Sequence, residues 1–159
     1  MPRRNPTCTR RIQFCAGHRV MGHESKCANL HGHNYVAFFE AEADAALDQV
    51  GRVIDFSVLK SAIGGWIDEK WDHGMILCKD DERAIAAVTS VCGCGSLENG
   101  KAQKLYLMPS NPTAENMAEY LLREICPALL AGTGVTISKV VIWETENCYA
   151  TAQIENGNE

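Results

Sequence analysis

The stretch Cys27-Ala28-Asn29-Leu30-His31-Gly32-His33-Asn34-Tyr35 puts a thiol and two imidazoles within seven residues. It runs on into Val36-Ala37-Phe38-Phe39-Glu40-Ala41-Glu42, whose alternation reads as a β-strand, so His31 and His33 project from one face of it. At about 3.3 Å of rise per residue their Cβ atoms lie roughly 6.6 Å apart, and both rings can converge on one metal ion with Zn–N bonds near ~2.0 Å. Gly32 between them removes a side chain from the opposite face. Two histidines can also simply begin a strand. A third histidine upstream and a cysteine alongside favour the metal reading.

That third histidine ends an earlier alternating segment. Over residues 8–17, Ile12, Phe14 and Ala16 share one parity and Arg11 and Gln13 the other, which predicts a strand with one wet face. His18 continues the apolar parity. Residues 19–30 form a polar loop that returns into the second strand, and sequential strands joined this way are most simply antiparallel neighbours. His18, His31 and His33 then cluster, and three neutral imidazoles with an open fourth position are the catalytic form of a zinc site. His23 lies in the loop and is left outside the cluster.

The remaining elements frame these residues. From Asp55, a sensible N-cap, the residues Phe56, Leu59, Ile63, Trp66 and Ile67 recur at helical spacing. Gly64-Gly65 weaken that helix by roughly 1 kcal/mol each, which a close approach of another backbone would explain. Asp72-His73 follows; alone it reads as a solvated helix-end pair as readily as an acid orienting an imidazole. Asp80-Asp81-Glu82 can cap a short helix through Val91, residues 93–104 form an exposed loop, and Leu105 to Met108 is a short extended piece. Thr113 caps a further helix with Glu115 in its first turn and Met117, Tyr120, Leu121 and Ile125 on its buried face, weakened at Pro127.

Residues 137–144 and 148–154 are the last two strands. Glu144 shares the parity of Val140 and Ile142, so it either reaches water beyond the core or holds a partner. The order ββ-α-(α)-α-ββ predicts an α+β fold: four antiparallel strands with helices on one face, in a single domain over 1–159 with tails at 1–6 and 156–159.

Composition narrows the function classes. With 46% hydrophobic residues the chain can bury one ordinary core, and a net charge of −5 with pI near 5.5 argues against a nucleic-acid surface. No apolar run approaches the ~20 residues needed to span a bilayer, and the basic N-terminus has no apolar stretch behind it as a secretory signal would. Eight scattered cysteines without an export signal point to reduced thiols in a cytoplasmic protein. Cys92-Gly93-Cys94 lacks the matching second half of a structural zinc site.

Taken together the motifs resemble the family of 6-pyruvoyl-tetrahydropterin and 6-carboxy-tetrahydropterin synthases, which share the tunnelling fold. The resemblance rests on Phe14-Cys15-Ala16-Gly17-His18-Arg19, Cys27-x-x-x-His31-Gly32-His33-Asn34-Tyr35, Val53-Ile54-Asp55-Phe56 with Leu59-Lys60, Asp72-His73, Pro112-Thr113-Ala114-Glu115-Asn116 and Trp143-Glu144-Thr145, in the family's order and spanning nearly the whole chain.

The resemblance implies that His18, His31 and His33 bind Zn2+. It makes Cys27 the general base as thiolate, with Asp72 and His73 completing a relay. Glu144 would anchor the pterin ring through two N–H bonds, with Thr113 touching the same ring. The implied substrate is 7,8-dihydroneopterin triphosphate, and the implied assembly is a homo-oligomer, a hexamer built as a dimer of trimers, with sites at subunit interfaces.

Three residues between Cys27 and His31 resemble the carboxy-type enzymes, which release triphosphate and acetaldehyde and feed 7-deazaguanine (queuosine) synthesis. The alternatives are the pyruvoyl-type reaction, which keeps the side chain, and a zinc-binding module without catalysis. Against the family pattern, Cys78 follows Leu77 where Asn is commoner, the stretch 80–104 is longer than in compact members, and Ala114 replaces a threonine of pyruvoyl-type proteins. Arg19 and Lys26 lie in the loop near the metal, where they either meet the triphosphate or stay solvated.

Overall fold

The computed structural model describes residues 5–91 and 103–155. In chain order the elements are β1 (Cys8–His18), β2 (His31–Ala43), α1 (residues 56–70), β3 (Gly74–Cys78), α2 (Glu82–Val91), β4 (Leu105–Met108), α3 (residues 114–129), β5 (Val135–Thr145) and β6 (Cys148–Gln153). Cys92-Gly93-Cys94, most of the loop at 93–104, and the end residues 1–4 and 156–159 lie outside the described residues.

The central ladder follows from the period-2 patterns. β1 and β2 pair antiparallel with His18 opposite His31 and Gly17 opposite Gly32. β5 pairs with β2 and β6 with β5, both antiparallel. Ile12, Phe14, Ala16 and His18 of β1 and Tyr35, Ala37, Phe39 and Ala41 of β2 all turn to the buried face.

The sheet is larger than the four antiparallel strands expected. Among the described residues it has six, in the order β4-β3-β1-β2-β5-β6, and β3 pairs parallel with both β1 and β4. Parallel neighbours need crossover connections, here α1 into β3 and α2 into β4, so no hairpin signal announces them.

Helices α1 and α3 pack on the inner face, where Leu59, Ile63, Ile67, Met117, Ala118 and Leu121 meet the inward side chains of the strands. Phe14 stacks on Tyr35 with centroids 5.0 Å apart and leans against Trp71 at 5.8 Å. Helix α2 departs from the expected one-sided layering. Leu77, with Ala84 and Val88 of α2, forms a second cluster, whereas its neighbour Ile76 belongs to the main core. Successive strand residues face opposite ways, so α2 covers the other face at the β3–β4 edge.

Both long helices contain a π-helical stretch, Lys60–Gly64 in α1 and Leu121–Ile125 in α3. In α3 this wider turn places Pro127 in the first turn of the closing segment Cys126–Leu129, where its missing N–H costs no helix bond, so the helix runs past it. Asp55 caps α1 as expected, accepting from the Ser57 N–H at 2.8 Å. Phe56 is 54% exposed and takes no part in the buried stripe. Gly64 is buried with the Ile12 side chain in ordinary contact and Gly65 faces open space, so no neighbouring backbone accounts for the pair. Among the cysteines, Cys78 and Cys126 are buried as small apolar groups, but Cys15 and Cys148 are exposed.

Candidate metal centre and its surroundings

His18 ends β1, and His31 and His33 begin β2, all on the inner face, so the β1–β2 register alone brings the three rings together. Their centroids form a near-equilateral triangle: 4.6 Å from His18 to His31, 5.0 Å from His18 to His33 and 4.9 Å from His31 to His33. One ligand nitrogen from each lies within 4.8 Å of the others.

Backbone carbonyls set the tautomers. Nδ1 of His18 donates to the Pro112 carbonyl at 2.7 Å, and Nδ1 of His31 donates to the Asn29 carbonyl at 2.7 Å. A carbonyl only accepts, so each neutral ring keeps its proton on Nδ1 and presents a bare Nε2. Those two Nε2 atoms are 3.1 Å apart. Two lone pairs that close repel unless they share a cation.

Burial, with smaller contributions from the two neighbouring imidazoles, pushes the His18 pKa down to about 4, so a proton is poorly suited to be that cation at neutral pH. His33 is likewise shifted down by burial and then by His31, and its Nε2 is a buried atom with no hydrogen-bond partner. A metal ion satisfies all three nitrogens at once, and neutral imidazoles with a backbone-held second nitrogen are a recurrent metal-ligand arrangement. The three residues therefore fit a metal centre. Sequence reasoning grouped the three histidines but not the carbonyl partners of His18 and His31, because main-chain acceptors at Pro112 and Asn29 leave no side-chain signature.

Glu144 lies beside this cluster, its Oε1 3.8 Å from His18 Nε2. Burial raises its pKa, and the charge of Glu115 at the start of α3 adds to the rise against a lowering by His31. The structure leaves this carboxylate half-buried, and the bare Nε2 that faces it has no proton to donate. Thr113 caps α3 through a 3.2 Å bond from the Asn116 N–H, which seats Pro112 and its carbonyl against His18.

The other three residues stand on turns. Cys27 occupies the short 3-10 turn Lys26–Ala28, and its carbonyl accepts from the Val20 N–H at 2.9 Å. Asp72 and His73 follow α1 as a hydrogen-bonded pair, Nδ1 to Oδ2 at 2.7 Å, with His73 exposed. Cys15 grips the pair from β1: its N–H donates to Asp72 Oδ1 at 2.9 Å and its carbonyl accepts from the His73 N–H at 2.7 Å. Burial opposes ionisation of Asp72, but the bonds from Cys15 and His73 outweigh it and hold the carboxyl below its usual range. His73 adopts φ 56°, a left-handed conformation that costs a non-glycine residue on the order of 1 kcal/mol.

Cys15 holds the acid–imidazole pair through main-chain groups, and His73 lines one cavity together with Cys15, Asn34 and His33. Among the described residues no hydrogen bond or ion pair joins Cys27 to Asp72 or His73. Arg19, expected to meet either the triphosphate or solvent, is instead paired with the buried Asp81. Lys26 and His23 stay outside the cluster, with Lys26 exposed.

Similarity to known proteins shows the family and the fold. A sequence family described as 6-pyruvoyl tetrahydropterin synthase matches residues 7–155. A protein of Rickettsia felis named 6-carboxy-5,6,7,8-tetrahydropterin synthase is 44% identical over 142 residues, covering 89% of this chain and 96% of its own. One of the same name from Aquifex aeolicus is 32% identical over 167 residues, covering 93% and 95%. Among solved structures, 6-pyruvoyl tetrahydropterin synthase of Caenorhabditis elegans shares the fold with TM-score 0.63 at 23% identity, covering 97% of this chain and all of that one (100%). An uncharacterised protein of Wolinella succinogenes superposes with TM-score 0.74 at 25% identity, covering 94% and 98%.

Proposed function

The chain belongs to the 6-pyruvoyl tetrahydropterin synthase family, and from that premise we propose that it is a lyase of the carboxy type. It converts 7,8-dihydroneopterin triphosphate to 6-carboxy-5,6,7,8-tetrahydropterin, releasing triphosphate and acetaldehyde, as a step toward 7-deazaguanines such as queuosine. The observation that carries this reading is the cluster of three imidazoles, two with bare nitrogens and one with an unpartnered nitrogen, beside the half-buried Glu144, in a chain 44% identical to a protein of that name.

His18, His31 and His33 hold Zn2+, the ion for which three neutral imidazoles and an open position are a known catalytic set. When bound, the ion supplies Lewis-acid polarisation of oxygens on the substrate side chain. Glu144 orients the pterin by accepting two N–H bonds from its amino group and adjacent ring nitrogen, and Thr113 contacts the same ring. Cys27 removes and returns a side-chain proton as thiolate. Asp72 fixes the Nδ1 proton of His73, leaving the other ring nitrogen free to exchange a proton with the reacting system.

On this reading the site is completed by a second copy, in a homo-oligomer expected to be a hexamer, a dimer of trimers; among the described residues no bond joins Cys27 to Asp72 or His73 within one chain. The sheet ends in two edge strands, β4 and β6, which suit such joining. The protein is taken as one domain over 1–159 acting in the cytoplasm; no helix among the described residues is long and apolar enough to cross a membrane.

The deciding experiment is mass analysis of the product formed from 7,8-dihydroneopterin triphosphate by zinc-loaded protein, with acetaldehyde assayed in the same tube. The carboxy product with acetaldehyde is expected. A pyruvoyl product without acetaldehyde assigns the sister reaction, and a zinc-filled protein that turns nothing over defeats the enzymatic reading.

A further inference from the structure

Arg19 looks like a ready cation for a triphosphate, since it follows a metal-ligand candidate and lies in the loop that carries Cys27. Its guanidinium is already engaged. Nε and Nη2 donate to Oδ2 and Oδ1 of Asp81 at 2.5 and 2.7 Å, the two-pronged geometry that suits arginine and a carboxylate. Asp81 is only 3% exposed, and Oδ1 also accepts the Ala84 N–H in the first turn of α2 at 3.2 Å.

We infer that Asp81, acting through Arg19, is a positioning residue for the turn that carries Cys27. Two consecutive carbonyls of that turn are tied to the residues just after β1: Cys27 accepts from the Val20 N–H at 2.9 Å and Ala28 from Arg19 Nη1 at 3.4 Å. The next carbonyl, that of Asn29, orients the His31 ring. Arg19 can serve the turn only while its long side chain is held, and the holding group is the buried carboxylate at the head of α2. This gives helix α2, the one helix on the far face of the sheet among the described residues, a task at the site: it anchors the thiol-bearing turn. Buried ion pairs add little net stability compared with an apolar substitute, which makes a geometric role for this one the stronger account.

The inference rests on the reading of Cys27 as the proton-transferring thiol, and the test separates the two. Steady-state kinetics are measured for Asp81→Asn, Arg19→Gln and the double variant, alongside metal content, inhibition by inorganic triphosphate, and the iodoacetamide alkylation rate of Cys27 read peptide by peptide. Each single variant should lower kcat by about 10- to 100-fold, the scale of a misplaced reacting group. KM and triphosphate inhibition should stay within about twofold, and the double variant should be no worse than the poorer single, as two residues acting as one unit require. Metal content should hold while Cys27 alkylation changes in parallel with kcat.

Arg19→Lys should recover part of the rate, because lysine keeps the charge without the fork, and it carries the test if the other variants fail to fold. A raised KM and weakened triphosphate inhibition in Arg19→Gln but not in Asp81→Asn would make Arg19 an anion-binding group and overturn the proposal. Loss of thermal stability alone, with kcat and alkylation unchanged, would overturn it as well. Should Cys27→Ala turn over normally while Cys27 alkylation still responds to Asp81→Asn, the proton-transfer reading falls and the positioning role stands.

Discussion

The histidine cluster and the residues around it are mounted differently. His18, His31 and His33 ride on two paired strands, where the antiparallel ladder sets their spacing and two backbone carbonyls set their tautomers. Cys27, Asp72 and His73 stand on turns, held by a few bonds from Val20, Cys15 and each other. A strand mount is rigid because each residue's neighbours are also paired. A turn mount is adjustable, and a single lost tether can move it. Metal binding should therefore resist most substitutions outside the ligands, whereas turnover should be lost easily with the metal still in place.

The sharpest break of that contrast is His31→Ala. Removing a ligand from the rigid half should abolish both metal binding and turnover, and full metal occupancy in the purified variant would contradict the ligand assignment. Next comes Cys27→Ala, in the adjustable half. It should keep its metal and assembly and lose about 10²- to 10⁴-fold in rate, the usual worth of a positioned acid–base group. His73→Asn sharpens the point: asparagine tolerates the left-handed conformation observed there, so melting temperature should hold while turnover drops on a similar scale.

Gly32→Ala probes the strand mount itself. A Cβ there would meet the Ala16 carbonyl oxygen at 3.1 Å, backbone that cannot easily yield, so β1 and β2 should be forced apart beside the ligands. A loss of about 1–3 kcal/mol in unfolding free energy, with weaker metal binding by competition titration, is the expected result.

The smallest effect concerns acid. Hydrogen bonds from the Arg19 guanidinium hold the Asp81 carboxyl below the usual carboxylate range. On acidification the unfolded chain takes up that proton first, so the pair's contribution is complete above the ordinary Asp value near ~3.9 and fades as pH falls through the lower folded value. Melting temperature followed from about pH 6 to pH 3 should be less steep in Asp81→Asn. An unchanged slope would mean the pair is not coupled to folding.

Much of this arrangement is legible in the residues alone. The parity of Ile12, Phe14, Ala16 and His18, and of His31, His33 and Tyr35, determined that the three imidazoles share an inner face, because strand side chains alternate whatever the surroundings. Thr113 as helix cap and Asp55 likewise followed from local hydrogen bonding, which involves residues only two or three apart.

What only the tertiary structure decided are the contacts between distant segments. The parallel addition of β3 and β4 depends on crossovers, and no hairpin turn records it. The proton positions on His18 and His31 depend on carbonyls that every residue possesses, so sequence cannot single them out. The burial of Asp81 against Arg19 joins residues 62 positions apart, and an acidic cluster at a helix start ordinarily faces water. Local periodicity reports which way a side chain points; which partner it meets there is settled by chain folding over long distances.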